Sequence, residues 1–230
     1  MLEKHPSLAG KLRVVPHIAL EWSVPATASS AAARQRLGIP CDVPVVLFFG
    51  SIRPYKGLET FVDAYLRARS IRQNLWIVIG GRPESRRLTL RAIKPLTSQA
   101  IIRLDYIPSD EVWLYHLAAD VAVFPYNRAS QSGALITAMS FSLPAIVTKV
   151  GGLPETVGSS GWSVPPDDPD ELGRAILESV SDPIRLRRMG LKALQHLREG
   201  HAPERVAMQA IDFYQEVIRS CSGFFTSLTA

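Results

Sequence analysis

The chain has 230 residues, of which 47% are hydrophobic, 20% charged and 8% aromatic. That balance excludes intrinsic disorder, a collagen-like repeat and a coiled coil, and it is enough to bury a sizeable core. Lys and Arg number 26 against 21 Asp and Glu, a net charge of +5; the cations are scattered, which suits an anionic ligand and excludes a nucleic-acid arm.

In chain order, residues 1–40 read as a linker and N-terminal extension, with a candidate strand over 12–15, two prolines among small residues over 16–28 and a short helix over 31–37. A strand over 45–49 then leads through the loop 50–57 into a helix that carries Leu58, Phe61, Val62, Tyr65 and Leu66 on one face. The next strand, 75–79, closes on Gly80 and Gly81 before a helical stretch over 84–94. A third strand covers 101–104, and Ser109 is expected to cap a helix with Val112, Tyr115 and Leu114 or Leu117 turned inward.

The fourth strand, 121–124, runs through Pro125 and Tyr126 into the polar turn 127–133 and a helix over 134–141. Pro144 starts a strand over 145–148 that ends at Gly151 and Gly152, and a last short strand over 162–164 precedes helices over 169–180, 184–198 and 204–219. The strands are apolar on both parities, as when helices cover both faces of a sheet. The fold class is therefore α/β, a doubly wound, Rossmann-like parallel sheet of about six strands over 41–200, with 201–230 as a C-terminal helix and tail. Its strand-to-helix loops emerge at one edge, where ligand binds.

Three of those loops carry candidate chemistry. The first, Gly50-Ser51-Ile52-Arg53-Pro54-Tyr55-Lys56-Gly57, has a glycine at each end for tight turning, two cations, and a helix start that supplies free amides. That suits a diphosphate, although neither a Walker loop nor a dinucleotide glycine motif is present; a turn with solvated charges is the plain alternative. The second, Ser130-Gln131-Ser132-Gly133, offers hydroxyls and an open amide at a helix start, or else an ordinary serine cap. The third, Gly151-Gly152-Leu153-Pro154-Glu155, permits close backbone approach, and Glu155 can accept from hydroxyls or cap a helix.

In serial order these loops, with Phe48-Phe49, Ala119-Asp120-Val121, Leu143-Pro144 and the run Val164-Pro165-Pro166-Asp167-Asp168-Pro169, resemble the C-terminal domain of GT-B glycosyltransferases. More narrowly the chain is similar to family 4, the retaining group 1 transferases, over about residues 14–219. The resemblance implies a nucleotide-diphosphate-sugar donor held by this domain and an acceptor held by a separate N-terminal domain, in cis or in trans. It implies that Lys56 binds the diphosphate and Arg53 reaches the same phosphates, since Ser51 replaces the family's arginine after Gly50. Gly50, Ser51, Gly152 and Glu155 then line the donor pocket, and Tyr106 and Ile107 offer backbone contacts to the base. The family's two glutamates fall on Ala129 and Thr137, so neither carboxylate is present. Ser130, Gln131, Ser132, Gly133, Ala134 and Thr137 are the expected substitutes for sugar and phosphate contacts.

The resemblance also implies transfer without a metal, because cations and helix dipoles carry the leaving charge. Asp168-Pro169-Asp170 reads as a helix cap and not a metal site. The histidines His5, His17, His116, His196 and His201 look dispersed, with His116 on a solvated helix surface. The run Arg185-Leu186-Arg187-Arg188 reads as a solvated face, with Ile184, Leu186 and Leu191 available for packing; contact with an anionic membrane surface is the lesser option.

Cys41 and Cys221 are the only cysteines, so a disulfide framework is excluded and a reducing, cytoplasmic location is expected, peripheral to the inner membrane face if the acceptor half attaches there. Residues 1–12 have no apolar leader core, and the apolar run 43–49 is too short to cross a bilayer. As given, the chain is expected to bind nucleotide but to transfer sugar poorly unless another chain supplies the acceptor half. The competing readings are a non-catalytic module that has lost the donor carboxylates and a purely structural interaction domain.

Overall fold

The computed structural model describes residues 12–19 and 21–226, the side chains of 221–226 excepted. Residues 1–11 and the Cys221 side chain, both read above from sequence, lie outside the described residues. The elements run α1 (Ser30–Leu37), β1 (Val45–Phe49), a 3-10 turn (Pro54–Lys56), α2 (Leu58–Ile71), β2 (Trp76–Gly80), α3 (Arg86–Ile93), β3 (Ala100–Arg103) and α4 (Val112–Ala118). They continue through β4 (Val121–Phe124), α5 (Gly133–Ser140), β5 (Ala145–Thr148), α6 (Leu153–Val157), β6 (Gly161–Val164), α7 (Pro169–Ser179), α8 (Pro183–Gly200) and α9 (Pro203–Thr226).

Side chains alternate between the faces of a strand, and here both faces are apolar. Val45 and Leu47 of β1 join Phe124, Val147 and residues of α1, α4 and α5 in one core layer. Val46 and Phe48 join Ile77, Val123, Ile146 and residues of α2 and α7 in the other. All strand pairs are parallel, in the order β3-β2-β1-β4-β5-β6. The chain thus builds outward from β1 in one direction, then returns to place β4 on the other side of β1. The loops leaving β1 and β4 lead to helices on opposite faces of the sheet, α2 and α5, and such a switch point is where ligand binds in sheets of this kind.

The amino edge is tied by a buried ion pair. Arg34 of α1 is 5% exposed and bonds Asp120 at 2.8 Å, while also donating to the carbonyls of Ala118, Cys41 and Val43. The same Asp120 carboxylate accepts the Val45 amide at 2.8 Å, which fixes the start of β1 beside β4. Asp168 caps α7 by accepting from the amides of Asp170 and Glu171, as its position before Pro169 predicts.

Several expectations are corrected by packing. Residues 12–15 form no strand: Val14 is 87% exposed, and the segment is held instead by the Ala19 amide on the His201 carbonyl at 2.8 Å. α3 starts at Arg86, because the Glu84 amide is already bonded to the Ile52 carbonyl and Ser85 caps the helix. Ser109 does not cap α4; a turn intervenes, and Glu111 precedes the helix while its carboxylate pairs with Arg103. On α8 the exposed residues are Ile184 and Leu191, and Leu186, Met189, Ala193 and Leu197 pack inward. The Gly190 face sets that orientation by lying against the Ser142 carbonyl. Among the described residues no helix is long and apolar enough to cross a membrane.

His116 is not solvated but 2% exposed. Its ring lies between Phe49, at 4.6 Å edge-on, and Phe141, stacked at 4.9 Å, with Nδ1 2.9 Å from the Val112 carbonyl. Burial lowers its pKa to about 4, against a smaller raising effect of the Val112 hydrogen bond. Between pH 6.5 and 4 the unfolded chain takes up a proton here that the folded chain refuses, so stability falls as pH falls across that window. Denaturant titrations should show about 2–3 kcal/mol lost from this group between pH 7 and pH 4.5. A His116→Leu variant should lose less stability than the parent over the same interval; an equal loss in both would refute the assignment.

Candidate functional site at the β1–β4 crevice

The first loop is pinned before it turns. The Gly50 amide bonds the Gly80 carbonyl at 2.9 Å, and Ile52 bridges to Pro83 beside β2. Arg53 is extended, the turn Pro54–Lys56 follows, and Gly57 takes the left-handed conformation with φ 69°. Only glycine fits there, since a Cβ would overlap the Pro125 carbonyl oxygen of the β4 loop. The Asn127 amide on the Tyr55 carbonyl, at 2.9 Å, joins the same two loops.

That close join turns Lys56 inward. Its side chain is 7% exposed, with Nζ 5.4 Å from the centre of the Tyr126 ring. It forms no salt bridge with any described carboxylate. Burial, and secondarily repulsion from Arg53, lowers its pKa from 10.5 to about 8. An ammonium held this way is short of counter-charge.

The second loop supplies the complement. Tyr126 is buried, its carbonyl accepts from Thr148 Oγ1 at 2.5 Å, and its hydroxyl lies 3.3 Å from Ser132 Oγ. Ser132 caps α5 by accepting the Leu135 amide at 3.2 Å. Helix geometry leaves the two preceding amides, of Gly133 and Ala134, without acceptors inside the helix. A Cβ placed on Gly50 would lie 3.5 Å from Lys56 Nζ and 3.6 Å from Ala134 Cβ, so the ammonium and the open end of α5 share one spot. Charge, helix dipole and free amides therefore point at one small volume suited to an anion.

The third loop is knitted to the second. The Gly152 amide bonds the Ser130 carbonyl at 2.8 Å, and Gly151, with φ 52°, passes so near the Ala129 carbonyl that no Cβ fits. Gln131 lies against Gly152, and Glu155 is exposed in the first turn of α6. Gly50, Lys56, Ser130, Gln131, Ser132, Gly133, Ala134, Gly152 and Glu155 thus fall on three adjoining loops.

Other candidates sit apart from that spot. Arg53 faces Glu84 at 3.7 Å and lines a cleft of about 240 Å³ between α2 and α3, next to Asn127 and Asp167. Ser51 is exposed; Tyr106 is 71% exposed beyond β3, two strands from β1, and Ile107 is buried beneath Gly80 and Phe49. Thr137 is buried, and its hydroxyl donates to the Gly133 carbonyl at 3.0 Å, so it is already engaged within its own helix. Sequence reasoning missed Tyr126 as the platform for Lys56, though an aromatic two residues past the end of β4 was its signal. It also treated the histidines as dispersed, whereas His201 Nδ1 lies 2.7 Å from the His17 carbonyl and His196 stands 5.9 Å from His201. Among the described residues no three metal-ligating side chains come together.

The comparisons with known proteins agree with this fold. Residues 29–196 match the family model described as glycosyl transferases group 1. The chain is 31% identical over 218 residues to the D-inositol 3-phosphate glycosyltransferase of Streptomyces bingchenggensis, covering 90% of this chain and 48% of that protein. It therefore spans about half the length of this curated relative.

Among solved structures, sucrose-phosphate synthase from Thermosynechococcus elongatus superposes with a TM-score of 0.78 at 26% identity, over 95% of this chain and 56% of that one. The C-terminal domain of the group 1 protein LpcC from Francisella tularensis gives 0.66 at 21% identity, over 78% of this chain and 96% of that one. Anabaena Alr3699/HepE, solved in complex with UDP and glucose, gives 0.72 at 18% identity, over 84% and 53%. The chain belongs to the group 1 glycosyl transferases and has the Rossmann-like fold of a GT-B C-terminal domain.

Proposed function

We propose that this domain holds a nucleotide-diphosphate sugar at the β1–β4 crevice for retaining transfer to an acceptor bound by a separate N-terminal domain. The observation that carries the reading is Lys56, a buried ammonium without a carboxylate partner beside the open end of α5. In this reading Lys56 and the amides of Gly133 and Ala134 bind the diphosphate and stabilise the charge that develops on it as the sugar leaves. Arg53 contributes from the rim once Glu84 releases it. Ser130, Gln131, Gly152 and Glu155 face the sugar, and Tyr106 and Ile107 approach the base. The UDP bound to the Anabaena relative supports the ligand class.

The acceptor half is part of the same proposal. α9 exposes Met208, Ile211 and Tyr214, and Arg13 of the entering segment bonds Glu216 of that helix at 2.7 Å. An apolar helix face beside the interdomain segment suits contact with a second domain. The leaving charge is carried by side chains and amides, so no divalent ion is invoked. The protein is taken to work in the cytoplasm, with any membrane contact made by the other half.

A second reading, a nucleotide-binding module that has lost transfer, is favoured by one observation: Ala129 and Thr137 leave the crevice without the two carboxylates. Calorimetry with UDP and UDP-sugars separates the two. A donor site should bind both, and a relic that discriminates against the sugar should bind UDP alone.

Three outcomes are expected. Lys56→Ala should weaken UDP binding at least about tenfold, the size of one charge-assisted hydrogen bond. In the parent, affinity should fall at least about tenfold between pH 7 and pH 9, because Lys56 loses its proton near pH 8 and the anion binds the protonated form; in Lys56→Ala that part of the decline should be lost. The purified chain should bind UDP equally with and without EDTA and should release no sugar to an acceptor by itself. Loss of binding on chelation would overturn the metal-free reading, and transfer by the lone chain would overturn the need for a second domain.

A further inference from the structure

We propose that His17 is a further binding residue of this anion site, an imidazolium that reaches the first turn of α5 from the segment entering the domain. The proposal rests on the diphosphate reading above. It begins from the ring's orientation: Nδ1 lies 2.9 Å from the Ile18 carbonyl, and a carbonyl only accepts, so Nδ1 carries the hydrogen. Nε2 is then the free edge. A Cβ on Gly133 would lie 3.4 Å from that Nε2 and 3.7 Å from Cε1, which puts the free edge against the open end of α5. Lys56 approaches the same helix end from the side of Gly50. An anion on the Gly133 and Ala134 amides would therefore lie between a buried ammonium and an imidazole.

The position of His17 is set from outside the site. His201 Nδ1 bonds the His17 carbonyl at 2.7 Å, and the Ala19 amide bonds the His201 carbonyl at 2.8 Å, so the junction of α8 and α9 holds the segment in place. The ring itself is exposed and forms no ion pair with a described carboxylate. The titratable groups around it are Lys56 across the helix end, His201 at its own backbone, and His196 beyond. A neutral Nε2 would turn a lone pair toward a phosphate oxygen, so the contact forms only when that nitrogen takes up a proton. No bond is made or broken; the proton comes from solvent and returns there on release.

The test uses inorganic pyrophosphate, which carries the anion without a base or sugar. Calorimetry at pH 7 on the parent, His17→Ala, His17→Arg and Lys56→Ala chains should show about tenfold weaker binding for His17→Ala and near-parent binding for His17→Arg, which restores a cation. Thermal melts should be unchanged in both His17 variants, since the ring is exposed. In long-range 1H–15N spectra, the His17 Nε2 signal should move from the bare-nitrogen to the protonated position as pyrophosphate saturates the site. If His17→Ala binds like the parent while Lys56→Ala is weak, the role of His17 is overturned and the donor reading stands. If His17→Ala is weak but Nε2 does not move, the segment acts only as a strap, and direct contact is overturned. If the parent binds neither pyrophosphate nor UDP, both readings fall.

Discussion

An ammonium removed from water without a carboxylate beside it is costly, and the β1–β4 crevice is built around that cost. The lowering of the Lys56 pKa from 10.5 to about 8 corresponds to about 3 kcal/mol of disfavoured charge. A structural lysine would recover this through a carboxylate, yet the charge that acts on Lys56 is that of Arg53, which makes matters worse. The ring of Tyr126 offsets part of the loss through its π face. The remainder is available to any anion that enters, so ground-state destabilisation of the empty site becomes affinity for a phosphate.

That arrangement depends on topology more than on the loop sequence. Order β3-β2-β1-β4-β5-β6 puts β1 and β4 side by side with their following helices, α2 and α5, on opposite faces of the sheet, so both loops emerge at one switch point. The loops then approach so closely that Gly57 lies against Pro125 and Gly151 against Ala129. Glycine at these two positions serves contact between loops, not flexibility. A side chain at either would separate the ammonium from the helix end.

The strands, their parallel order and the three loops could be read from the chain because each is a local signal: apolar runs, glycines at strand ends, a serine before a helix. What could not be read depends on partners distant in sequence. His116 reads as solvated because it is the polar residue of its helix, although Tyr115 and Leu117 flank it, but Phe49 and Phe141, brought in by β1 and by the end of α5, enclose it. Arg34 reads as one more surface cation until Asp120 and three carbonyls from other segments surround it. Ser109 carries a capping signal that a turn overrides, and residues 12–15 have strand propensity but lead into a segment held by the His201 carbonyl and not by a strand. Within the candidate site, Lys56 stands out as a cation in a glycine-bounded loop whose role the family resemblance implies, and Ser132 as a serine before a helix, whereas Tyr126 and His17 become visible only once the loops are folded together.

The absence of a carboxylate at positions 129 and 137 changes what the crevice can discriminate. A glutamate accepting from sugar or ribose hydroxyls leaves an unpaired buried charge when the hydroxyl is missing, and such a site rejects the wrong ligand strongly. Here the Thr137 hydroxyl is engaged with Gly133, and Ala129 has no polar group, so neither residue penalises a missing hydroxyl. The proposed anion contacts are unaffected by that change, because they come from Lys56 and from backbone amides that no substitution at 129 or 137 removes. If the crevice holds a nucleotide-diphosphate sugar as proposed, selectivity for the diphosphate is thus separable from selectivity for the sugar, and the surface of Gln131, Gly152 and Glu155 is where that proposal puts a sugar preference.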